Sequence, residues 1–221
     1  MVSVRKVLLV TVLAAVSALL VLHFSLRKFT AVALTPGCAS LSQTGEVNPA
    51  DTAAFWQGYP LSPPLALNDT LDPASIRVLG VSSGDKWIEI DLSDQRLTAH
   101  DGDKIFLESL ISSGLWNKTP AGEYAIWYKT RSTKMEGGIK GSKSYYYLSN
   151  VPYAMFFKGD YGIHGTYWHS NFGNRMSHGC VNAPTTVAEK LFYWVGPQLP
   201  DGKKMIRATP DNPGTRVVVH E

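Results

Sequence analysis

Alternation of apolar and polar side chains in a series of short segments is the feature that most constrains this fold. In Trp87–Leu92, the side chains of Ile88, Ile90 and Leu92 fall on one face and acidic side chains on the other. A period of two residues predicts a strand with one buried face. Comparable short segments follow at 96–100, 105–111, 124–128, 145–148, 154–157, 162–164 and 216–220. Gly and Pro turns separate them, so the sequence predicts a mainly β domain, sandwich or barrel-like in type.

A single helix is predicted late in the chain. Thr186 and Glu189 have the spacing of a capping box, in which side chains satisfy backbone N–H groups of the first turn. An apolar stripe follows, formed by Leu191, Phe192 and Val195. Gly196-Pro197 ends the pattern, because glycine closes helices and proline cannot continue them. The predicted fold class is therefore mainly β with one short helix, which follows Cys180.

The first 35 residues differ in composition from the rest of the chain. Val7–Leu26 contains 20 residues and no charged side chain, which is the length that a helix needs to cross the hydrocarbon layer. Basic pairs flank it on both sides, so residues 1–35 are predicted to form a cytoplasmic tip and a transmembrane signal anchor. Cleavage at Ala31-Val32-Ala33 and lipid attachment at Cys38 are the alternatives. Each alternative places the remainder of the chain outside the cytoplasm.

Residues 36–84 are rich in proline and polar side chains, and are predicted to form a linker to a domain at 85–221. Phe55, Trp56 and Tyr59 are too apolar for a fully solvated tether, so we expect them to pack on the domain or on the membrane surface. Residues 1–35 hold four of the 21 basic residues and no acidic one, which leaves 17 basic against 18 acidic residues. This balance argues against a basic face for nucleic acid.

The densest cluster of reactive side chains lies at 163–169 and 177–182, with Cys180 16 residues after His164. A cysteine is a strong nucleophile when a nearby base or positive field favours its thiolate. We therefore expect the Cys180 sulfur to be ionised beside the His164 imidazole. The backbone N–H groups of His178, Gly179 and Cys180 are candidates for an oxyanion hole. A disulfide to Cys38 is not expected, because Cys38 lies in the linker.

A zinc site is the rival interpretation of the same cluster. His164, His169, His178 and Cys180 are acceptable zinc ligands. No Asp or Glu lies between His164 and Cys180, however, and the spacing of these residues does not match a compact ligand set. The sequence therefore predicts neither a metal nor another cofactor.

His-Gly-Thr at 164–166, followed by Ser-His-Gly-Cys-Val-Asn at 177–182, resembles the signature of the L,D-transpeptidase catalytic domain. The resemblance extends over Lys86–Glu221 and includes the turn Thr119–Gly122. It implies that Cys180 is the nucleophile, that His164 is the general base and that the carbonyl of Gly165 orients the imidazole. The further candidates for oxyanion or substrate binding are Ser177, His178, Gly179, Trp168, Arg175 and Asn182.

Several of these candidates have an equally plausible structural role. His178 can hold the loop through hydrogen bonds without touching substrate, and Trp168 can serve in packing alone. Arg175 can face the carboxylates of a substrate or the solvent. Asn182 is more typical of a side chain that stabilises a turn. The resemblance also implies that the segment Met135–Tyr147 covers the substrate.

The resemblance implies a reaction on peptidoglycan stem peptides. Cys180 would attack the carbonyl after the third residue of a tetrapeptide stem, expel the terminal D-alanine and pass the acyl group to an amine. Carbapenems would acylate the same thiol. An L,D-carboxypeptidase that uses water as acceptor, and a non-catalytic wall-binding domain, are the alternatives. The expected setting is the cell envelope, with the protein a monomer that is anchored by its N-terminal helix or secreted to the wall.

Overall fold

The computed structural model describes residues 44–69 and 85–221. The predicted membrane anchor, its cleavage site and Cys38 lie outside these residues, so they stay predictions. Among the residues that are described, no helix is long and apolar enough to cross a membrane.

The described chain is mainly β, with one α-helix, as predicted. In chain order the strands before the long central hairpin are β1 Ala54–Trp56, β2 Tyr59–Leu61, β3 Lys86–Asp91, β4 Arg96–Asp101, β5 Lys104–Leu110 and β6 Gly122–Ala125. The remaining strands are β7 Tyr128–Gly137, β8 Tyr146–Lys158, β9 Tyr161–Thr166, β10 Val181–Pro184, β11 Met205–Arg207 and β12 Arg216–His220. The helix α1 spans Thr185–Trp194, and a 3₁₀ turn spans Leu115–Asn117.

The strands form two sheets. The five-stranded sheet has the order β5-β4-β3-β12-β6, and β12 runs parallel to β3. The seven-stranded sheet has the order β10-β9-β8-β1-β2, while β7 pairs with β8 and β11 pairs with β7. The main core contains side chains from both sheets and from α1, including Ile88, Ile163, Val181 and Phe192. The helix and both sheets therefore share one hydrophobic core, against which the functional residues are positioned.

Agreement with the predicted strands is best in the five-stranded sheet. Ile88, Ile90 and Leu92 are all buried, and the strand at 216–220 has the predicted bounds. The segment 124–128, predicted as one strand, is divided between β6 and β7, which lie in different sheets. The segments 145–148 and 154–157, predicted as separate strands, are two ends of β8. Both errors arise because tertiary pairing, rather than local alternation, sets where a strand ends.

Part of the predicted linker belongs to the seven-stranded sheet. Within the range 36–84, residues 54–61 form a hairpin, and β1 of this hairpin pairs with β8 through Ala54↔Leu148 and Trp56↔Tyr146. Proline is tolerated here because the hairpin lies at the sheet edge, where an N–H is not needed for pairing. The linker interpretation is therefore wrong for this hairpin, of which Trp56 packs on the domain while Phe55 and Tyr59 are 40% and 72% exposed.

The predicted capping box of the helix is also wrong. Pro184 occupies the N-cap of α1, with no side-chain capping bond, and Glu189 is buried. The other end of the helix is capped from a neighbouring strand. Buried Lys129 donates from Nζ to the carbonyl oxygens of Phe192 at 2.6 Å and Val195 at 2.8 Å. A cation at a helix C-terminus satisfies free carbonyls and opposes the helix dipole.

Candidate active site

Two parallel strands bring Cys180 and His164 to one cavity. β10 pairs with β9 in the register Val181↔Ile163 and Asn182↔His164. Alternate side chains of extended backbone share a face, so Cys180, which immediately precedes β10, faces the same side of the sheet as His164. Ile163 and Val181 point the other way, into the main core. The chain order His164 then Cys180 thus becomes a side-by-side arrangement on adjacent strands.

The cavity that these two side chains line is small. Cys180 and His164 are each 1% exposed, and the volume between them and their neighbours is about 20 Å³. The other walls come from Trp56, Met135, Tyr146, Leu148, Trp168, Ser177, His178 and Asn182. A space of this size holds about one water molecule. A peptide substrate therefore requires the walls to move.

The imidazole of His164 is oriented by a backbone carbonyl. Its Nδ1 lies 3.1 Å from the carbonyl oxygen of Gly165, and an N–H at Nδ1 that donates to this oxygen leaves Nε2 as the proton acceptor. Burial is the main cause that lowers the pKa of His164 to about 4, with nearby His169 contributing to the shift and the Gly165 bond opposing it. The imidazole is therefore neutral at pH 7 and able to accept a proton.

Hydroxyl groups hold the loop that carries the thiol. Ser177 Oγ donates to the carbonyl oxygen of Cys180 and accepts from the Gly179 N–H at 3.0 Å. Thr119 Oγ1 donates to the Gly179 carbonyl at 2.8 Å and accepts from the Gly114 N–H. The Gly179 N–H is thus engaged within the loop, which removes it from the three oxyanion donors expected from the sequence. Thr119 was recognised only as part of a turn, because its partner lies 60 residues away.

Gly179 has a backbone conformation that side chains rarely adopt. Its φ is +144°, and a Cβ built there would lie 2.6 Å from a ring carbon of Tyr161. Both facts require glycine at the position before Cys180. The requirement is one of loop geometry and close packing, so Gly179 supports the thiol through the backbone.

His178 lies between this small cavity and a larger groove. Its ring lies 4.7 Å from the ring of Tyr146 and meets Trp56 edge-on at 6.0 Å. Burial lowers the pKa of His178, Lys118 adds to this effect, and a bond to the Ser144 backbone opposes it. Its buried Nδ1 has no hydrogen-bond partner among the described residues. His178 can therefore contact a ligand in the cavity as well as hold the loop.

The groove outside His178 has a volume of about 430 Å³. Its walls are formed by Gln57, Tyr59, Leu115, Trp116, Lys143, Ser144, Met176 and His178. Lys143 and Ser144 belong to the β7–β8 connection, within the segment that the resemblance implies will cover substrate. The volume falls within the range typical of ligand sites. A long ligand lying in this groove would have one end at His178, next to the cavity of Cys180.

The other candidates differ in their distance from the chemistry. Trp168 packs its ring 5.6 Å from His164 and forms part of the cavity wall. The side-chain amide of Asn182 lies 2.8 Å from Nε2 of His169, which makes Asn182 an orienting group for that ring. Arg175 donates to the Leu92 carbonyl and to Glu221, each at 3.0 Å. Arg175 therefore ties the loop to the end of the other sheet and does not line the cavity.

The described ranges contain no group of three or more His, Cys, Asp or Glu side chains arranged to hold a metal ion. What the geometry offers instead is a thiol and a neutral imidazole that line one small cavity, with the imidazole oriented by a carbonyl. A thiol and a proton acceptor are the two groups that covalent acyl transfer by a cysteine requires. The chain is thus a mainly β protein with a cysteine and a histidine in one cavity.

The chain belongs to the L,D-transpeptidase catalytic domain family, also called YkuD, whose family model matches residues 85–219. The matched range includes both motifs at 164–166 and 177–182. A search of curated proteins found no match. Membership confirms the resemblance seen in the sequence.

Solved structures with the same kind of domain are similar to this chain. An L,D-transpeptidase crystal structure from Enterococcus faecium is 31% identical, with a TM-score of 0.47 over 62% of this chain and 50% of that chain. The NMR structure of the catalytic domain from E. faecium is 29% identical, with a TM-score of 0.46 over 62% and 97%. An L,D-transpeptidase from Mycobacterium smegmatis is 19% identical, with a TM-score of 0.49 over 62% and 59%. The chain spans about half the length of the E. faecium crystal chain.

Proposed function

We propose that this protein is a peptidoglycan L,D-transpeptidase that forms cross-links or attachments through a thioester on Cys180. The observation that carries the proposal is the shared cavity of Cys180 and His164, with the imidazole aligned by the Gly165 carbonyl. The donor is a tetrapeptide stem, and the acceptor is an amine on a neighbouring stem or another wall component. The open groove beside His178 is large enough for a peptide arm, which favours a peptide-borne acceptor over water alone.

The proposed first half-reaction forms the acyl-enzyme. Nε2 of His164 takes the thiol proton as the Cys180 sulfur attacks the carbonyl after the third stem residue. The bond from this carbonyl carbon to the terminal D-alanine nitrogen then breaks, and His164 returns the proton to the leaving amine. The second half-reaction runs in the reverse sense, with the acceptor amine attacking the thioester and the proton returning to the sulfur.

The pKa of His164 favours a neutral resting pair over the ionised sulfur expected from the sequence. A histidine with a pKa of about 4 is unprotonated at pH 7, so its ring supplies no positive charge to stabilise a resting thiolate. Proton transfer to Nε2 then accompanies attack on the carbonyl, which is general base catalysis. Substrate binding, which brings a polarised carbonyl to the sulfur, would promote this transfer.

Stabilisation of the developing oxyanion is assigned to His178. The Gly179 N–H is held by Ser177, whereas the His178 ring reaches the cavity and its Nδ1 has no partner among the described residues. The His178 ring is neutral and its bond to the Ser144 backbone uses the one ring N–H, so Nδ1 is an acceptor and the donor proposed for the oxyanion is the backbone N–H of His178, in a site where such a bond has most effect. Trp168 and Asn182 act from the wall, through packing and through His169.

The proposed setting is the extracytoplasmic face of the cell envelope, where stem peptides occur. Anchoring through Val7–Leu26 is part of the proposal and would keep the domain near nascent wall. A monomer is proposed because catalysis as written uses groups from one chain.

The decisive experiment incubates the full chain with a tetrapeptide stem, with and without an amine acceptor. We expect cross-linked peptide and released D-alanine when the acceptor is present. Cys180→Ala should lose at least about 10³-fold in rate, since the nucleophile itself is removed. Cys38→Ala is the matched control and should keep full activity. Mass spectrometry of the products provides the measurement.

Each alternative function has its own outcome in this experiment. Tripeptide as the sole product in both tubes would show an L,D-carboxypeptidase. Full function in Cys180→Ala would support a non-catalytic wall-binding domain. Intact-mass analysis after exposure to a carbapenem gives an independent check, because we expect one adduct and expect it at Cys180.

A further inference from the structure

A hairpin that precedes the matched family range contributes to the catalytic cavity. The family model begins at residue 85, whereas β1 and β2 occupy residues 54–61. Their two-residue turn, Gln57-Gly58, has φ of +52° and +84°. Positive φ at both central positions is typical of the type I′ turn, which matches the natural twist of a hairpin. The segment is therefore a formed structural element that lies outside the family domain.

Alternation along β1 directs Trp56 towards the catalytic residues. Ala54 and Trp56 are 1% and 8% exposed, whereas Phe55 between them is 40% exposed. The Trp56 ring lies 5.9 Å from Trp168 and 6.0 Å from both Tyr146 and His178. It lines the cavity of Cys180 and His164. One indole from outside the family domain thus forms part of the wall around the thiol.

The same hairpin also borders the open groove. Gln57 and Tyr59 line this groove together with Trp116 and Lys143. The hairpin therefore lies at the boundary between the 430 Å³ groove and the 20 Å³ cavity. Movement of this one element would join the two spaces.

Among the strands that form walls of the cavity, those of the hairpin have the least pairing. β8 and β9 are each paired along both edges, and β7 pairs with both β8 and β11. β1 has three residues, and its outer neighbour β2 is an edge strand. Short edge elements open locally at lower free energy than central strands do. A stem-peptide carbonyl that must reach a 1% exposed sulfur has its easiest route where β1 separates from β8.

Both ends of the hairpin segment are fastened at a single side chain. Asn150 Oδ1 accepts from the Asn48 N–H at 2.9 Å, and Nδ2 of Asn150 donates to the carbonyl oxygens of Asn48 at 3.0 Å and Pro64 at 2.9 Å. The chain between Asn48 and Pro64 is thus a loop with its two ends closed on one residue. Between these ends Ser149 Oγ donates to the Ala53 carbonyl at 2.7 Å, so separation of β1 from β8 would break this bond while Asn150 keeps the ends in place.

We propose that the hairpin at 54–61 controls access to the catalytic thiol, with Trp56 as the residue that shields Cys180. In the closed arrangement the indole fills the space above the sulfur. When the hairpin separates from β8, the groove and the cavity join and the donor carbonyl reaches Cys180. The role in substrate entry rests on the proposed transpeptidase function, whereas the shielding of the sulfur does not.

The test measures alkylation of Cys180 by iodoacetamide, followed by intact mass and peptide mapping on the full chain. Only molecules with an open cavity react, so the rate reports the open fraction. We expect Trp56→Ala to raise the rate by roughly tenfold or more, because the shield is removed while the strand is kept. Phe55→Ala changes the opposite face of the same strand and should react at the unmodified rate. Trp56→Phe, which keeps an aromatic shield, should stay near that rate.

A second variant acts on the turn and leaves Trp56 in place. Gly58→Val puts a branched side chain at a φ of +84° with open space around it, so its effect is backbone strain in the hairpin alone. We expect faster alkylation. Gly202→Val applies similar strain at a φ of +74°, also in open space, in a turn that lines neither the cavity nor the groove. It should leave the rate unchanged.

Equal rates in Trp56→Ala, Gly58→Val and their controls would overturn the proposal, and so would equal acceleration in all four. Thermal unfolding of each variant checks that faster alkylation does not arise from global unfolding. The reaction needs no stem peptide. Accelerated alkylation without transpeptidation would therefore refute the proposed function and leave the shielding intact, and the reverse result would refute the shielding alone.

Discussion

The two sheets of this protein differ in the side chains that cover their faces. In the five-stranded sheet, Ile88, Ile90 and Leu97 face the core and polar side chains face outward. The seven-stranded sheet is covered on both faces: Ile163 and Val181 belong to the main core, while Cys180 and Trp168 belong to a second cluster on the opposite side. One sheet thus provides stability by simple alternation, and the other uses its second face to enclose reactive groups.

A histidine in each sheet shows the contrast, because the two have opposite pKa shifts. His164, in the seven-stranded sheet, is buried and has a lowered pKa, because burial disfavours its charged form. His220, in the five-stranded sheet, lies 3.1 Å from Glu89, and its pKa is raised by bonds to the Glu221 backbone and to Glu89. The same side chain thus has opposite pKa shifts in the two sheets, because one imidazole is buried and the other lies beside a carboxylate at the surface.

The largest expected difference between the two sheets is in how a histidine substitution changes the rate of catalysis. We expect His164→Gln to lower the rate of acyl transfer by roughly 10²–10⁴, the usual contribution of a general base. His220→Gln, the matched change in the other sheet, should leave the rate within twofold or so. Single-turnover formation of the acyl-enzyme is the measurement. A loss below tenfold in His164→Gln would contradict its assignment as base.

A core substitution should sharpen the comparison from the opposite direction. Ile90→Ala removes a fully buried side chain from the five-stranded sheet and should lower the free energy of unfolding by about 2–5 kcal/mol. Ile105→Ala, in the same sheet at a 61% exposed position, should change it little. Denaturant titration gives both values. If Ile90→Ala also lowered the rate per folded molecule by tenfold, the division between the sheets would be wrong.

The pH dependence of stability should show a smaller difference. The pKa of His164 is about 4 in the folded protein and about 6.5 when unfolded. Between these values the unfolded chain binds more protons, so acid favours unfolding. Stability from this group is fully present above pH 6.5 and is lost as pH falls towards 4, by about 3 kcal/mol.

The variant His164→Gln should flatten this acid limb of the stability profile. The raised pKa of His220 acts with the opposite sign, since its contribution is present below the unfolded pKa and is lost as pH rises through the folded value. Its exposure makes the effect weak. Urea titrations of both variants at several pH values provide the check, and an unchanged acid limb in His164→Gln would refute the assigned shift.

Sequence reasoning succeeded where local pattern and spatial role coincide. The strand of Ile88 and Ile90 follows from alternation, and the pairing of Cys180 with His164 follows from a compact motif. The position of Trp56 had no comparable signal, because it depends on pairing with β8 some 90 residues away. The capping box failed because Glu189 is used on the buried face of α1. A local sequence rule cannot show which side of a helix will be buried against the rest of the domain.

Because β9 and β10 pair in parallel, the protein is sensitive to insertions within these strands and tolerant of insertions in the connection between them. One face of these strands carries apolar core side chains and the other carries the side chains that line the cavity. A shift of the pairing by one residue would exchange the two faces. A single insertion within either strand would turn the side chains on one side of it to the opposite face, so that His164 and Cys180 would no longer line the same cavity. Insertions between Tyr167 and Arg175 would keep the register of β9 with β10. They precede the loop before Cys180 that Ser177 and Thr119 hold through hydrogen bonds. The connection between the two strands can therefore lengthen in evolution, whereas the number of residues in each strand must stay the same.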